Sequence, residues 1–171
     1  YIHSSLIQPI PGIENKTFNT SDELFSVISS EMKDTESVFM TAAVSDFILN
    51  KTDGKISRSN GKLILELTPN KDIIASIKTE FPDVKCIAFS AQVDDDLNFD
   101  KLKSKNVDYL VINNILNNEF GSDENKISII NRDELIYKSG TLSKDEIAQA
   151  ILIALDYWYV RWRRDNLKQY V

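Results

Sequence analysis

Short apolar runs alternate with amphipathic stretches along this chain, and that alternation restricts its fold more than any other feature. Residues 38–44, 84–89 and 109–112 are mostly apolar and of strand length. Runs of that kind suit strands covered on both faces. Between them, side chains recur at helical spacing: Leu24, Phe25, Ile28 and Met32, then Ile73, Ile74, Ile77 and Phe81. Strands interleaved with helices predict an open α/β sheet with helices on both faces. Helix starts are marked as well. Thr20-Ser21-Asp22-Glu23 is a capping box, and Ser143 to Glu146 is a second, with Leu142 and Ile147 placed as its hydrophobic staple. Asn70 is the predicted N-cap of the second helix.

The remaining segments fit the same scheme. Residues 4–12 and 50–61 carry glycine, proline or polar residues and read as loops. Leu63, Leu65 and Leu67 alternate as a strand, and residues 99–105 form a short helix. Residues 126–130 and 134–137 read as a C-terminal β-hairpin turning at Asn131, Arg132 and Asp133. A long terminal helix follows, with the stripe Ile147, Ile151, Leu155, Trp158 and Trp162.

Length and charge limit the function classes. A chain of 171 residues fits a single domain with a sizeable core. The net charge of −6 disfavours a nucleic-acid partner, so an anionic ligand must be held by local lysines or helix N-termini. No apolar stretch reaches the roughly 20 residues of a membrane helix. The single cysteine, Cys86, has no partner for an internal disulfide, which points to a reducing, cytoplasmic setting. Tyr1 opens the sequence inside an apolar strand, so the domain 1–171 is expected to be incomplete at its N-terminus. In open α/β sheets ligands gather at the carboxyl ends of strands, which is where Asp46, Phe89 and Asn113 are predicted to lie.

Three segments, in order, resemble the phosphopantothenate–cysteine ligase (phosphopantothenoylcysteine synthetase) family. Ala42-Ala43-Val44-Ser45-Asp46-Phe47 is similar to its Ala-Ala-Val-Ala-Asp-Tyr strand end, followed by Lys55-Ile56-Ser57-Arg58 in place of a lysine-rich loop. Leu67-Thr68-Pro69-Asn70-Lys71-Asp72-Ile73 resembles its Asn-Pro-Asp-Ile helix start. Ile87-Ala88-Phe89-Ser90-Ala91-Gln92 resembles its Gly-Phe-Ala-Ala-Glu strand, and Lys101 and Lys105 then precede the strand ending at Asn113-Asn114. The likeness runs over roughly residues 5–137, the C-terminal portion of the bifunctional decarboxylase/synthetase flavoprotein.

The resemblance implies a Rossmann-like fold and a homodimer. It implies a ligase of coenzyme A biosynthesis that uses CTP, or ATP, with Mg²⁺. The carboxylate of 4′-phosphopantothenate is activated as an acyl-nucleotidyl intermediate, pyrophosphate leaves, and the amine of cysteine attacks. It further implies that Asp46 binds the ribose, that Ala42 faces the base and that Phe89 stacks on it. Asn70, Lys71, Asp72 and Ile73 would border the nucleotide, and Lys101 and Lys105 the phosphates. Lys55 is the implied catalytic lid cation. Glycine-rich phosphate loops of the family have no counterpart here, so the isolated chain is expected to lack full activity.

Each of these residues has an ordinary structural alternative. Asp46 and Asn70 could simply cap turns, Phe89 could be a core residue, and Lys101 and Lys105 could form a solvated basic face. Ser57 and Arg58 replace family lysines, and Lys71 replaces the family proline. Those departures define a second reading, a non-catalytic nucleotide-binding or dimerisation module. A nicotinamide-linked oxidoreductase is disfavoured because no Gly-x-Gly-x-x-Gly is present. Asp94-Asp95-Asp96 reads as a solvated acidic loop, not a metal site, and His3 receives no role.

Overall fold

The protein is described by a computed structural model covering residues 1–49, 62, 64–94, 96–115 and 123–167, with side chains to residue 155. Its first element is β1 (Ile2–Ser4), which pairs in parallel with β2 (Lys16–Phe18). Helix α1 (Ser21–Glu31) follows and ends in a single 3₁₀ turn at Met32. Thr20 accepts a hydrogen bond from the Glu23 amide, as the capping box requires. The Glu23 carboxylate, however, takes the amide of Asn19, one residue earlier than the simple motif predicts.

A six-stranded sheet forms the body of the molecule. Strands β3 (Ser37–Met40), β6 (Lys85–Gln92) and β7 (Tyr109–Asn114) run parallel at one side. Strands β8 (Glu124–Ile130), β9 (Leu135–Lys138) and β10 (Leu142–Ser143) continue it in antiparallel fashion. The β8–β9 hairpin turns where the sequence predicts, with Asn131 Oδ1 accepting the amides of Asp133 and Glu134. A separate hairpin pairs β4 (Phe47–Leu49) with β5 (Leu67–Pro69).

The period-2 geometry of β6 and β7 divides the core between the two sheet faces. Cys86, Ala88, Leu110 and Ile112 face α1, α2 (Ile73–Glu80) and α3 (Phe99–Ser104), joining Leu24, Ile28, Ile73, Ile74, Ile77 and Leu102. Ile87 and Val111 point the other way, toward Ile147 and Ile151 of α4 (Lys144–Leu167). Helices therefore cover both faces, in agreement with the sequence reading. Ser143 and Glu146 exchange the expected capping-box bonds at the start of α4. Trp158 and Trp162 belong to the part of α4 whose side chains lie outside the described residues.

Three expectations need correction. The strand read from Leu63, Leu65 and Leu67 starts only at Leu67, since residues 64–66 have no regular structure and β4 offers partners only to residues 67–69. The strand predicted over 38–44 stops at Met40 and is not buried on both faces, since Phe39 is 42% exposed. Phe39 borders an open hollow that Leu152 and Leu155 of α4 also line, so that helix does not close over this face of the edge strand β3. The second helix is capped by Asp72, not Asn70: Asp72 Oδ1 accepts the Ala75 amide. Asn70 lies two residues further back, where its amide side chain is used for tertiary bonds.

Candidate nucleotide cleft

The main chain leaves β3 at Met40 and runs without regular structure to Asp46, at the carboxyl end of the parallel strands. β4 begins at the next residue, and β5 returns the chain to Asn70. Residues on the two sides of this excursion are joined by Asn70. Its amide donates to the Asp46 carbonyl (2.8 Å) and its Nδ2 to the Ser45 carbonyl (2.8 Å), while Oδ1 accepts from Lys71 N–H (2.9 Å) and Ser21 Oγ (3.3 Å). Asn70 is thus the clip that holds the 42–46 segment against the start of α2.

Beyond that clip, a cleft of about 250 Å³ opens between the 40–46 segment, the start of α2 and helix α3. Every described residue implied as nucleotide-binding lines it: Ala42, Asp46, Asn70, Lys71, Asp72, Ile73, Phe89, Lys101 and Lys105. Lys55 lies outside the described residues, within the segment between β4 and β5. The hairpin itself starts beside Asp46 and returns beside Asn70, and its far end is the Leu49–Leu67 pair.

The charges in the cleft are arranged unevenly. Lys101 Nζ donates to the buried Ser90 Oγ at 2.8 Å, and none of the four ion pairs among the described residues includes it. Its charge therefore meets a neutral partner and is left for an incoming anion. Lys105 Nζ instead sits 2.7 Å from Asp72 Oδ2, the same carboxylate that caps α2. Asp46 is exposed, and Ala42 beside it offers no bulk. Phe89 lines the cleft while packing against the second core cluster. The N-terminus of α2 adds main-chain N–H groups and a favourable dipole for anions. An exposed carboxylate, two cations and a helix start around one cleft are chemically suited to a phosphorylated, hydroxyl-bearing ligand.

Size alone would favour other hollows. One of about 840 Å³ lies beside residues 32–37 and 80–85, at the amino ends of β3 and β6, where open α/β sheets do not gather ligands. Another of about 470 Å³ separates Tyr1 and Ile2 from β3. Neither contains the carboxylate, lysines and helix start that converge at the smaller cleft.

Residues 3–157 match the family described as the DNA/pantothenate metabolism flavoprotein C-terminal domain. The chain belongs to this family. Coenzyme A biosynthesis bifunctional protein CoaBC of Thermococcus kodakarensis is 35% identical over 150 residues, covering 81% of this chain and 36% of that protein. A cysteine/cysteine sulfinic acid decarboxylase from an unknown prokaryotic organism is 34% identical over 119 residues, 66% of this chain and 33% of that protein. The chain thus spans about a third of the length of the curated relatives it matches. In fold it is similar to the C-terminal domain of CoaBC, with a TM-score of 0.71 and 20% identity over 94% of this chain and 75% of that one.

Several site features escape sequence reasoning. Ser90 shares the Cys86–Ala88 side of β6, and a hydroxyl amid that period-2 apolar series was the available signal. Ser21 and Phe25 looked like ordinary residues of α1, and β4 carried no periodicity of its own. Asp94 and Asp96 serve local turns, accepting the amides of Asp96 and Asn98, while Asp95 lies outside the described residues. Among the described residues, no three His, Cys, Asp or Glu side chains come together. His3 is buried and stacks on Tyr1, with Nδ1 bonded to the Ser4 carbonyl.

Proposed function

We propose that this chain is the nucleotide-binding part of a phosphopantothenate–cysteine ligase acting in coenzyme A biosynthesis. The observation that carries the reading is the gathering of Asp46, Asn70, Lys101 and Lys105 in one cleft at the carboxyl ends of the strands. Kinship with the bifunctional CoaBC proteins supports the same pathway. CTP is the expected nucleotide, with ATP the alternative.

Asp46 accepts hydrogen bonds from the ribose hydroxyls, a role open to an exposed carboxylate. Lys101 moves its ammonium from the neutral Ser90 hydroxyl to a phosphate oxygen, and charge-assisted bonds of that kind are the stronger ones. Lys105 exchanges Asp72 for a second phosphate oxygen. These cations oppose the charge that builds as the 4′-phosphopantothenate carboxylate attacks the α-phosphate and pyrophosphate departs. A triphosphate would carry Mg²⁺ on its own oxygens, and among the described residues Asp46 and Asp72 are the cleft carboxylates that would face the ion or its waters. Lys55 is assigned to the approach of the acyl group, and the amine of cysteine completes the amide. We further propose a homodimer as the working form. The replacement of the family proline by Lys71 favours a second reading, in which a nucleotide is bound without turnover.

The test is pyrophosphate release by the full-length protein supplied with CTP or ATP, Mg²⁺, 4′-phosphopantothenate and cysteine. Lys101→Met should weaken nucleotide binding roughly tenfold or more, the loss of one charge-assisted bond. Binding of nucleotide with no release of pyrophosphate would replace the ligase by the binding module. Absence of both binding and turnover in the folded protein would remove the whole reading.

A further inference from the structure

Helix α1 supplies none of the residues implied to bind nucleotide, yet it touches two of them. Ser21 and Phe25 are four residues apart and share one face of the helix. Ser21 Oγ donates to Asn70 Oδ1 at 3.3 Å. One turn later, the Phe25 ring lies under the Lys71 ammonium, with Nζ 3.2 Å from the ring centroid. Both side chains are half-buried, and Phe25 also packs on the first core cluster, so their positions are fixed from beneath.

What they hold is the clip of the cleft. Asn70 bonds the carbonyls of Ser45 and Asp46, and Lys71 donates its own amide to Asn70 Oδ1. A proline at position 71 would have no such N–H and would fix its own φ. A lysine leaves that backbone freer, and its ammonium is anchored to the Phe25 ring instead.

We propose that Ser21 and Phe25 are positioning residues, a two-point clamp on α1 that fixes Asn70 and Lys71 and thereby sets the place of Asp46. The inference rests on the nucleotide reading of the cleft. Neither side chain lines that cleft, so both act through the residues they hold.

The test uses the whole chain with Phe25→Leu, Phe25→Tyr, Ser21→Ala, Lys71→Met and the Phe25→Leu/Lys71→Met pair. Without nucleotide, amide exchange at Asn70, which donates to the Asp46 carbonyl, should accelerate in Phe25→Leu and Ser21→Ala and stay unchanged in Phe25→Tyr. With Mg²⁺-CTP, Phe25→Leu should raise Kd by roughly two- to fivefold, the scale of an exposed cation–π contact, and Phe25→Tyr should not. In the Lys71→Met background, Phe25→Leu should add nothing, because its effect runs through the ammonium.

Unchanged Asn70 exchange in folded Phe25→Leu and Ser21→Ala would overturn the clamp. Additive effects of Phe25→Leu and Lys71→Met on Kd would overturn it too. If the unaltered chain binds neither CTP nor ATP, the nucleotide reading fails, while the exchange measurement still decides whether the clamp exists.

Discussion

Removing Asp108 should unfasten α2 from the sheet, and the cost can be worked from its contacts. Lys78, near the end of α2, places Nζ 2.9 Å from Asp108 Oδ2, 2.7 Å from the Pro82 carbonyl and 2.9 Å from the Val84 carbonyl. The same Asp108 oxygen accepts the Cys86 amide at 2.8 Å, so one carboxylate joins α2, β6 and the start of β7. The Lys78 side chain is 11% exposed and that of Asp108 28%. Stripping one partner from a buried ion pair costs about 3–5 kcal/mol. Two features lower that figure here: Asp108 retains water contact, and Lys78 keeps two carbonyls. The orphaned Cys86 N–H raises it by about 1 kcal/mol or more. Asp108→Ala is therefore expected to cost about 3 kcal/mol, and Lys78→Met about 1–2 kcal/mol because Asp108 still has its amide and solvent.

For a chain of this size, about 3 kcal/mol lowers Tm by roughly 6–12 °C. Thermal and urea unfolding of both variants and their double would measure this. The double should cost less than the sum by about 1–2 kcal/mol, since either change removes the same bond. A cost below about 1 kcal/mol for Asp108→Ala, or strict additivity, would refute the argument and reduce the pair to a surface contact.

Burial raises the Cys86 thiol to about 11, with the Asp108 charge adding to the effect. Cys86 should therefore resist iodoacetamide at pH 8 in the folded protein and react at the unfolding rate. A raised thiol value favours the neutral form, so this contribution to stability is complete below the ordinary thiol value and fades as pH rises through about 11. The Ser143 main-chain N–H and hydroxyl bonded to Glu146 hold its carboxyl below the ordinary value. Its contribution is present above that ordinary value and is lost as pH falls through the lowered one, so acid should melt the start of α4 early. Helical signal followed by NMR across an acid titration checks this: Ser143→Ala, which loses the hydroxyl and keeps the main-chain N–H, should weaken the effect, and Glu146→Gln should remove it. Ile77, fully buried between α2 and the sheet, should cost about 2–5 kcal/mol on truncation to alanine, read from urea midpoints at constant slope.

Much of the architecture follows from local pattern. The strand-length runs at 84–89 and 109–112 and the helical stripes of α1 and α2 bury their apolar side chains where the pattern predicts, so strand, helix and order were legible. The C-terminal hairpin was legible because Asn131 organises its own turn. Motif resemblance brought the cleft residues to attention one by one. Tertiary structure decided what those residues do to each other. Asp72 displaced Asn70 as cap because the carboxylate reaches Ala75 N–H, and Asn70 was freed to bridge segments far apart in sequence. Strand β3 became an edge strand, β4 formed only because β5 returned beside it, and Lys105 found Asp72 while Lys101 found Ser90. Such pairings depend on which distant backbones converge. A sequence encodes each partner's chemistry, but only the folded chain sets the distance at which that chemistry acts.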